Sequence, residues 1–183
     1  MQIDGALTGK KLDISNRNMA RVIAASLSPQ AHNAVFDQRF WSVSATVTPA
    51  AANAEFFYFK NNHTRLSYAL SRLNIRNASS ETITLARVTG TATSTTDITP
   101  VNRVLGNGNL PTATVAGGTN IGGLTPGLTI EQWTGTVSPD FDLTSRPIII
   151  SPGTAVALSA AAGSIAVSYI VDFYTLLVEV PEF

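Results

Sequence analysis

Few residues in this chain have the type and spacing for proton-transfer chemistry. There are two histidines, His32 and His63. Both lie in polar stretches, and Asn61-Asn62-His63-Thr64 reads as turn material because Asn tolerates left-handed backbone. A Ser-His-Asp triad needs a serine on a strained elbow and a base oriented by a carboxylate, and no G-x-S-x-G motif occurs. Asp140 and Asp142, in Ser-Pro-Asp-Phe-Asp, offer the oxygen ligands that calcium takes. The same pattern describes a solvated turn with an Asx cap, and that is the reading adopted. Asp97 and Glu131 are scattered and form no paired-carboxylate signature of the glycosidase kind. Gly106-Asn107-Gly108 and Gly117-Gly118 are followed by no lysine and no strand-to-helix context, so positive φ in turns is expected there, not phosphate binding. With no cysteine there is neither a disulfide framework nor a thiolate metal site. The expectation is a protein that is not an enzyme, with no catalytic residues, no metal ligands and no cofactor.

Two groups of residues suit binding. Trp41, Phe56, Phe57, Tyr58, Phe59 and Trp133 could form a sugar platform, although core packing and subunit contact are commoner uses of aromatics in strands. Lys10, Lys11, Arg17 and Arg21 form a thin basic patch that could meet an acidic partner, with a solvated arm as the default. Twelve basic residues balance twelve acidic ones, which gives no general electrostatic case for nucleic acid or an anionic membrane. The charged fraction is 13%, against a usual share of about 25%. Free monomers carry more charge on their surfaces. Coverage by partner subunits, or a surface of Thr, Ser and Asn, both explain the deficit, and the reading leans to assembly. Neither a signal peptide nor a run of about 18 apolar residues is evident. Asn62-His63-Thr64 and Asn77-Ala78-Ser79 match glycosylation acceptors by chance only.

The elements that must position these residues are strands. The chain of 183 residues suits one domain, read as an N-terminal arm over residues 1–40 and a β domain over 41–183. Within the arm, Met19, Val22, Ile23 and Leu27 suit a short helix or a strand that Pro29 stops. Trp41, Val43, Ala45 and Val47 alternate with Ser and Thr, the period of a half-buried strand. Glu55 to Phe59 reads as a strand buried on both faces. Leu66 to Arg76 is a strand whose apolar phase slips near Ser71-Arg72, the mark of a β-bulge. Asn77–Ser80 is expected to turn the chain before a strand from Glu81 to Thr89. The Gly-, Thr- and Pro-rich residues 90–128 read as loops around short strands such as Thr112–Val115. Strands follow at Leu128–Val137, Ala155–Leu158 and Ser164–Val180, with turns at Ser151-Pro152-Gly153 and Ala161-Ala162-Gly163. Eight or nine short strands separated by turn signals predict an all-β antiparallel β-sandwich or jelly roll.

Three segments then bear a resemblance. They are Met1-Gln2-Ile3-Asp4-Gly5 with Thr8-Gly9 and Lys11-Leu12-Asp13-Ile14-Ser15-Asn16-Arg17, then Phe57-Tyr58-Phe59-Lys60-Asn61-Asn62, then Thr99-Pro100-Val101-Asn102-Arg103. In order and spacing the chain resembles a group of tailed-bacteriophage virion proteins. It departs from them where Thr95-Thr96-Asp97-Ile98 precedes Thr99-Pro100 in place of a Gly-Gly-Thr approach. The resemblance implies a virion structural protein made in the host cytoplasm. It implies a capsid decoration or cement protein with a β-sandwich fold, a homo-oligomer, often a trimer, bound to the major capsid protein or another virion protein. It carries over no catalytic residue. The arm over 1–40 would order on a neighbouring subunit at an entropic cost. The competing expectations are a tail-, neck- or fibre-associated module that binds a host receptor or glycan, and a hydrolase on a jelly-roll scaffold.

Overall fold

A computed structural model describes residues 2–4, 11–13, 39–104, 106–137, 141–142 and 147–176. The stretch Met19–Leu27, His32, Asp140 and residues 177–180 of the expected last strand lie outside the described residues. Among the described residues every regular element is a strand. β1 (Gln2–Asp4) and β2 (Lys11–Asp13) pair antiparallel as a small sheet of their own. The other eleven strands form one antiparallel sheet. They are β3 (Phe40–Val47), β4 (Ala54–Asn61), β5 (Ser67–Thr93), β6 (Thr96–Asp97), β7 (Val101–Asn102), β8 (Ala113–Gly117), β9 (Gly122–Val137), β10 (Phe141–Asp142), β11 (Ile148–Ile150), β12 (Ala155–Ala160) and β13 (Val167–Leu176).

β5 makes this sheet a curled, sandwich-like fold. Its first half, up to Asn77, pairs with β13, and β3 and β7 continue that side. Its second half, from Ile83, pairs with β12, and β4, β8 and β6 follow. β5 therefore passes from one layer to the other. The expected reversal at Asn77–Ser80 does not occur. Pairing with β9 places Arg76 opposite Val137 and Glu81 opposite Gly135, so four residues of β5 stand against one of β9. Such a bulge bends a strand and lets it change sheets. The turn-like residues Ala78, Ser79 and Ser80 are exposed at this corner, so their polarity reflects solvation and not chain reversal.

The main core lies between the two layers. It joins Trp41, Val43, Leu70 and Phe173 from one side to Phe57, Phe59, Leu85, Leu158 and Trp133 from the other. Its densest part is aromatic. Phe59 and Phe173 meet edge to face at 4.9 Å, and Trp41 stacks on Phe173 at 5.7 Å. Each such pair is worth about 0.5–1.5 kcal/mol beyond the area it buries.

β3 alternates as expected, with Trp41 and Val43 buried and Ser44 and Thr46 exposed. β4 pairs with β8 and β12 along its edges and is buried on both faces, with Phe57 and Phe59 in the main core and Tyr58 in a second cluster. A register shift sets Leu158 opposite Phe57 and Ser159 opposite Glu55, which leaves Phe56 as the extra residue. The bulge sends both Phe56 and Phe57 into the main core against Tyr169, while Tyr58 packs in a second cluster with Val88, Ala116 and Ile121. The expected bulge in β5 falls at Ser71, since Asp172 pairs with Arg72 and Phe173 with Leu70. Ser71 Oγ donates to the Asp172 carbonyl at 3.2 Å.

Residues 90–128 hold more strand than expected. β9 starts at Gly122, not Leu128, and runs through Pro126, which sits opposite Val88. Among the described residues β9 pairs only with β5, and an edge strand tolerates proline because its free N–H side carries no ladder. Its register shifts at four places, so hydrophobic alternation is absent there and the sequence reads as loop. Ser151-Pro152-Gly153 turns as expected, with the Thr154 N–H donating to the Ser151 carbonyl at 3.1 Å.

Candidate functional site

The built feature at the surface is the turn that follows β4. Asn61 is fully buried, and its side chain is committed on both sides. Its Nδ2 donates to the carbonyls of Leu66 and Ile150, each at 2.9 Å. Its Oδ1 accepts the His63 backbone N–H at 2.8 Å. Asn61 was expected to belong to the turn. Instead it ends the strand and organises the turn from below, because an amide side chain supplies both donors and an acceptor to backbone groups that the reversal leaves unpaired.

His63 closes the same turn. Its Nδ1 accepts backbone N–H groups from Arg65 and Leu66, each at 3.0 Å. A ring nitrogen that accepts two donors carries no proton, so Nε2 holds the hydrogen and is a donor. His63 is half-buried, not free in solvent as its polar neighbours suggest.

A cleft of about 300 Å³ opens beside this turn. The turn supplies His63 and Leu66, and the start of β3 with the residue before it supplies Trp41 and Arg39. The end of β13 supplies Thr175, and the segment 109–112 forms the opposite wall. That segment is tied down at two points. Trp41 Nε1–H donates to the Asn109 carbonyl at 2.8 Å, and the Asn62 N–H donates to the Thr112 carbonyl at 3.2 Å. Tyr68 lies in the cleft and is 1% exposed. Burial pushes its hydroxyl up to about 12, against the smaller opposite pull of the Thr112 backbone and of the Arg39 guanidinium. The hydroxyl is therefore protonated throughout the physiological range. Among the described residues no aspartate or glutamate lines the cleft. Arg39 and Tyr68 were not singled out from sequence, and only the Asn-x-His spacing in the turn hints at a site.

The other expected candidates do not converge. Asp97 and Glu131 are exposed on β6 and β9. The backbone of Asp142 pairs with Arg72. Among the described residues no three of His, Asp and Glu gather as a metal group. Trp41, Phe56, Phe57, Tyr58, Phe59 and Trp133 are all buried, so the sugar platform suggested by these aromatics is replaced by core packing. Gly106 takes a positive φ of 89° in a turn closed by the Asn107 side chain, whereas Gly117 belongs to β8, contrary to expectation.

Large apolar side chains are exposed elsewhere: Leu128 at 80%, Leu110 at 64%, Val101 at 62% and Ile149 at 46%. Leu110 stands on the rim of the cleft. Among the described residues no helix is long and apolar enough to cross a membrane. No family model matches the chain, and neither does any curated protein or solved structure.

Proposed function

We propose that this protein is a structural component of a tailed-phage virion, a capsid decoration or cement protein that acts through protein–protein contacts. The observation that carries the reading is the ordered series of sequence segments from Met1-Gln2-Ile3 to Thr99-Pro100-Val101-Asn102, which resembles such proteins along most of the chain. Leu128, Val101, Leu110 and Ile149 support it as exposed apolar anchors on a thinly charged surface. Interfaces derive their affinity from such anchors within a polar rim. A cement protein seated between capsid subunits adds contact area against internal pressure, and a rigid double-layered core suits that load. The partners in this reading are further copies of the chain, as a trimer, and the major capsid protein.

Quantifying the protein in purified particles tests the reading. Hundreds of copies per particle, with heads that lose DNA on heating when it is removed, are the expected result. Absence from particles would overturn it. A second reading is a tail-, neck- or fibre-associated module for a host receptor or glycan. The cleft beside His63 favours it, since convergent donors over apolar side chains suit a small polar ligand. A few to tens of copies per particle would select it.

A further inference from the structure

The cleft at the β4–β5 turn has a one-sided chemistry. Arg39 brings a guanidinium with five N–H donors in a rigid fork. His63 brings an Nε2–H, because its Nδ1 is occupied by two backbone donors. Tyr68, 1% exposed and held by the Thr112 backbone, forms part of the lining beneath them. Among the described residues no acidic side chain lines the cleft to neutralise these groups. Leu66, Leu110 and Pro111 supply apolar surface beside them.

We infer that this cleft is a carboxylate-binding site that receives a glutamate or aspartate side chain, flanked by apolar residues, from an extended peptide of a partner subunit. Two kinds of donor, and no carboxylate among the described lining residues, select an anion by charge complementarity. A planar carboxylate matches the fork of Arg39 and takes charge-assisted hydrogen bonds, which are shorter and stronger than neutral ones. The apolar rim selects a peptide over a free ion, because Leu110 at 64% exposure gains from being covered. Asn61 and the bond from Trp41 to Asn109 hold both walls in place before binding, so little ordering cost remains. The inference rests on the reading of the protein as an assembly module for the source of the peptide.

The test is a titration of the full chain, followed by NMR of the His63 imidazole and by calorimetry. The probes are a blocked pentapeptide with one glutamate among leucine and valine, the same peptide with glutamine, and N-acetylneuraminic acid as an acidic sugar. The glutamate peptide should saturate, shift the His63 Nε2 resonance and weaken with added salt. The glutamine peptide and the Arg39→Gln variant should each bind about tenfold or more weakly, the usual effect of losing a charge-assisted hydrogen bond. Arg39 is exposed, so Arg39→Gln should keep the parent unfolding midpoint. Arg39→Lys should restore only part of the affinity, because an ammonium lacks the fork. Equal binding of the glutamate and glutamine peptides, no saturable shift, or tighter binding of the sugar than of the peptide would each overturn the inference. A failed titration leaves the particle copy number unaffected, so loss of this site and loss of the virion reading are distinguishable.

Discussion

Asn61 holds His63 through a single backbone contact: the amide oxygen of one accepts the N–H of the other at 2.8 Å. Because Asn61 is fully buried and also serves Leu66 and Ile150, the turn and the strand β11 share one anchor. Asn61→Ala strands the buried Ile150 carbonyl, while the part-buried Leu66 carbonyl and His63 N–H are left to water. Each unsatisfied group costs about 1–3 kcal/mol. The expected outcome is a loss of about 2–4 kcal/mol in urea unfolding, together with loss of a single sharp His63 imidazole signal. Unchanged stability would show that the turn is held elsewhere.

Tyr169 presents the opposite case. Its ring packs on Phe56 and Phe57, at 5.7 and 5.2 Å, but its buried hydroxyl finds no partner among the described residues. Tyr169→Phe keeps the ring and removes a polar group whose burial is uncompensated. Stability should stay level or rise by about 1 kcal/mol in denaturant titration. A loss larger than that would mean the hydroxyl is bonded.

Alkaline pH should unfold the protein through its tyrosines. Burial pushes the hydroxyls of Tyr68 and Tyr169 up to about 12 from the ordinary 10.0, and raises Tyr58 and Tyr174 for the same reason. Above pH 10 the unfolded chain ionises first and binds fewer protons than the folded one, so the unfolding free energy falls as pH rises. The stability is fully present below pH 10 and is lost between about 10 and 12, at about 3 kcal/mol for each of Tyr68 and Tyr169. Unfolding followed from pH 8 to 12 should show this slope, and Tyr169→Phe should flatten it by less than half, since Tyr58, Tyr68 and Tyr174 still contribute.

Two glycines with nearly the same backbone separate strain from crowding. Gly163 has φ 72° and Gly153 has φ 74°. A Cβ on Gly163 would stand 2.4 Å from the Ala51 carbonyl oxygen, whereas a Cβ on Gly153 would meet nothing within 4 Å. Gly153→Ala should cost about 1 kcal/mol, the backbone penalty alone. Gly163→Ala should cost about 2–4 kcal/mol, because a backbone oxygen cannot swing away. Thermal unfolding of both variants gives the comparison, and equal losses would refute the contact with Ala51.

The sequence by itself determined the strand character and much of the facing. Trp41 and Val43 turn inward, and so do Val167, Tyr169, Val171 and Phe173, because side-chain direction alternates within a single strand and needs no knowledge of neighbours. The slip at Ser71 was legible for the same reason, since a bulge shifts the local apolar phase. Only the tertiary structure decided which strands pair, and that settled the rest. Asn77–Ser80 has the composition of a turn, yet β5 continues through it because β13 supplies partners before it and β12 after it. Gly122–Gly127 looks like a loop, yet β5 templates it as a strand. The cleft follows the same rule. Arg39, His63 and Thr112 are far apart in the chain, and no local pattern marks them as neighbours. They meet because Trp41 binds Asn109 and Asn62 binds Thr112, long-range contacts that exist only once the sheet has curled.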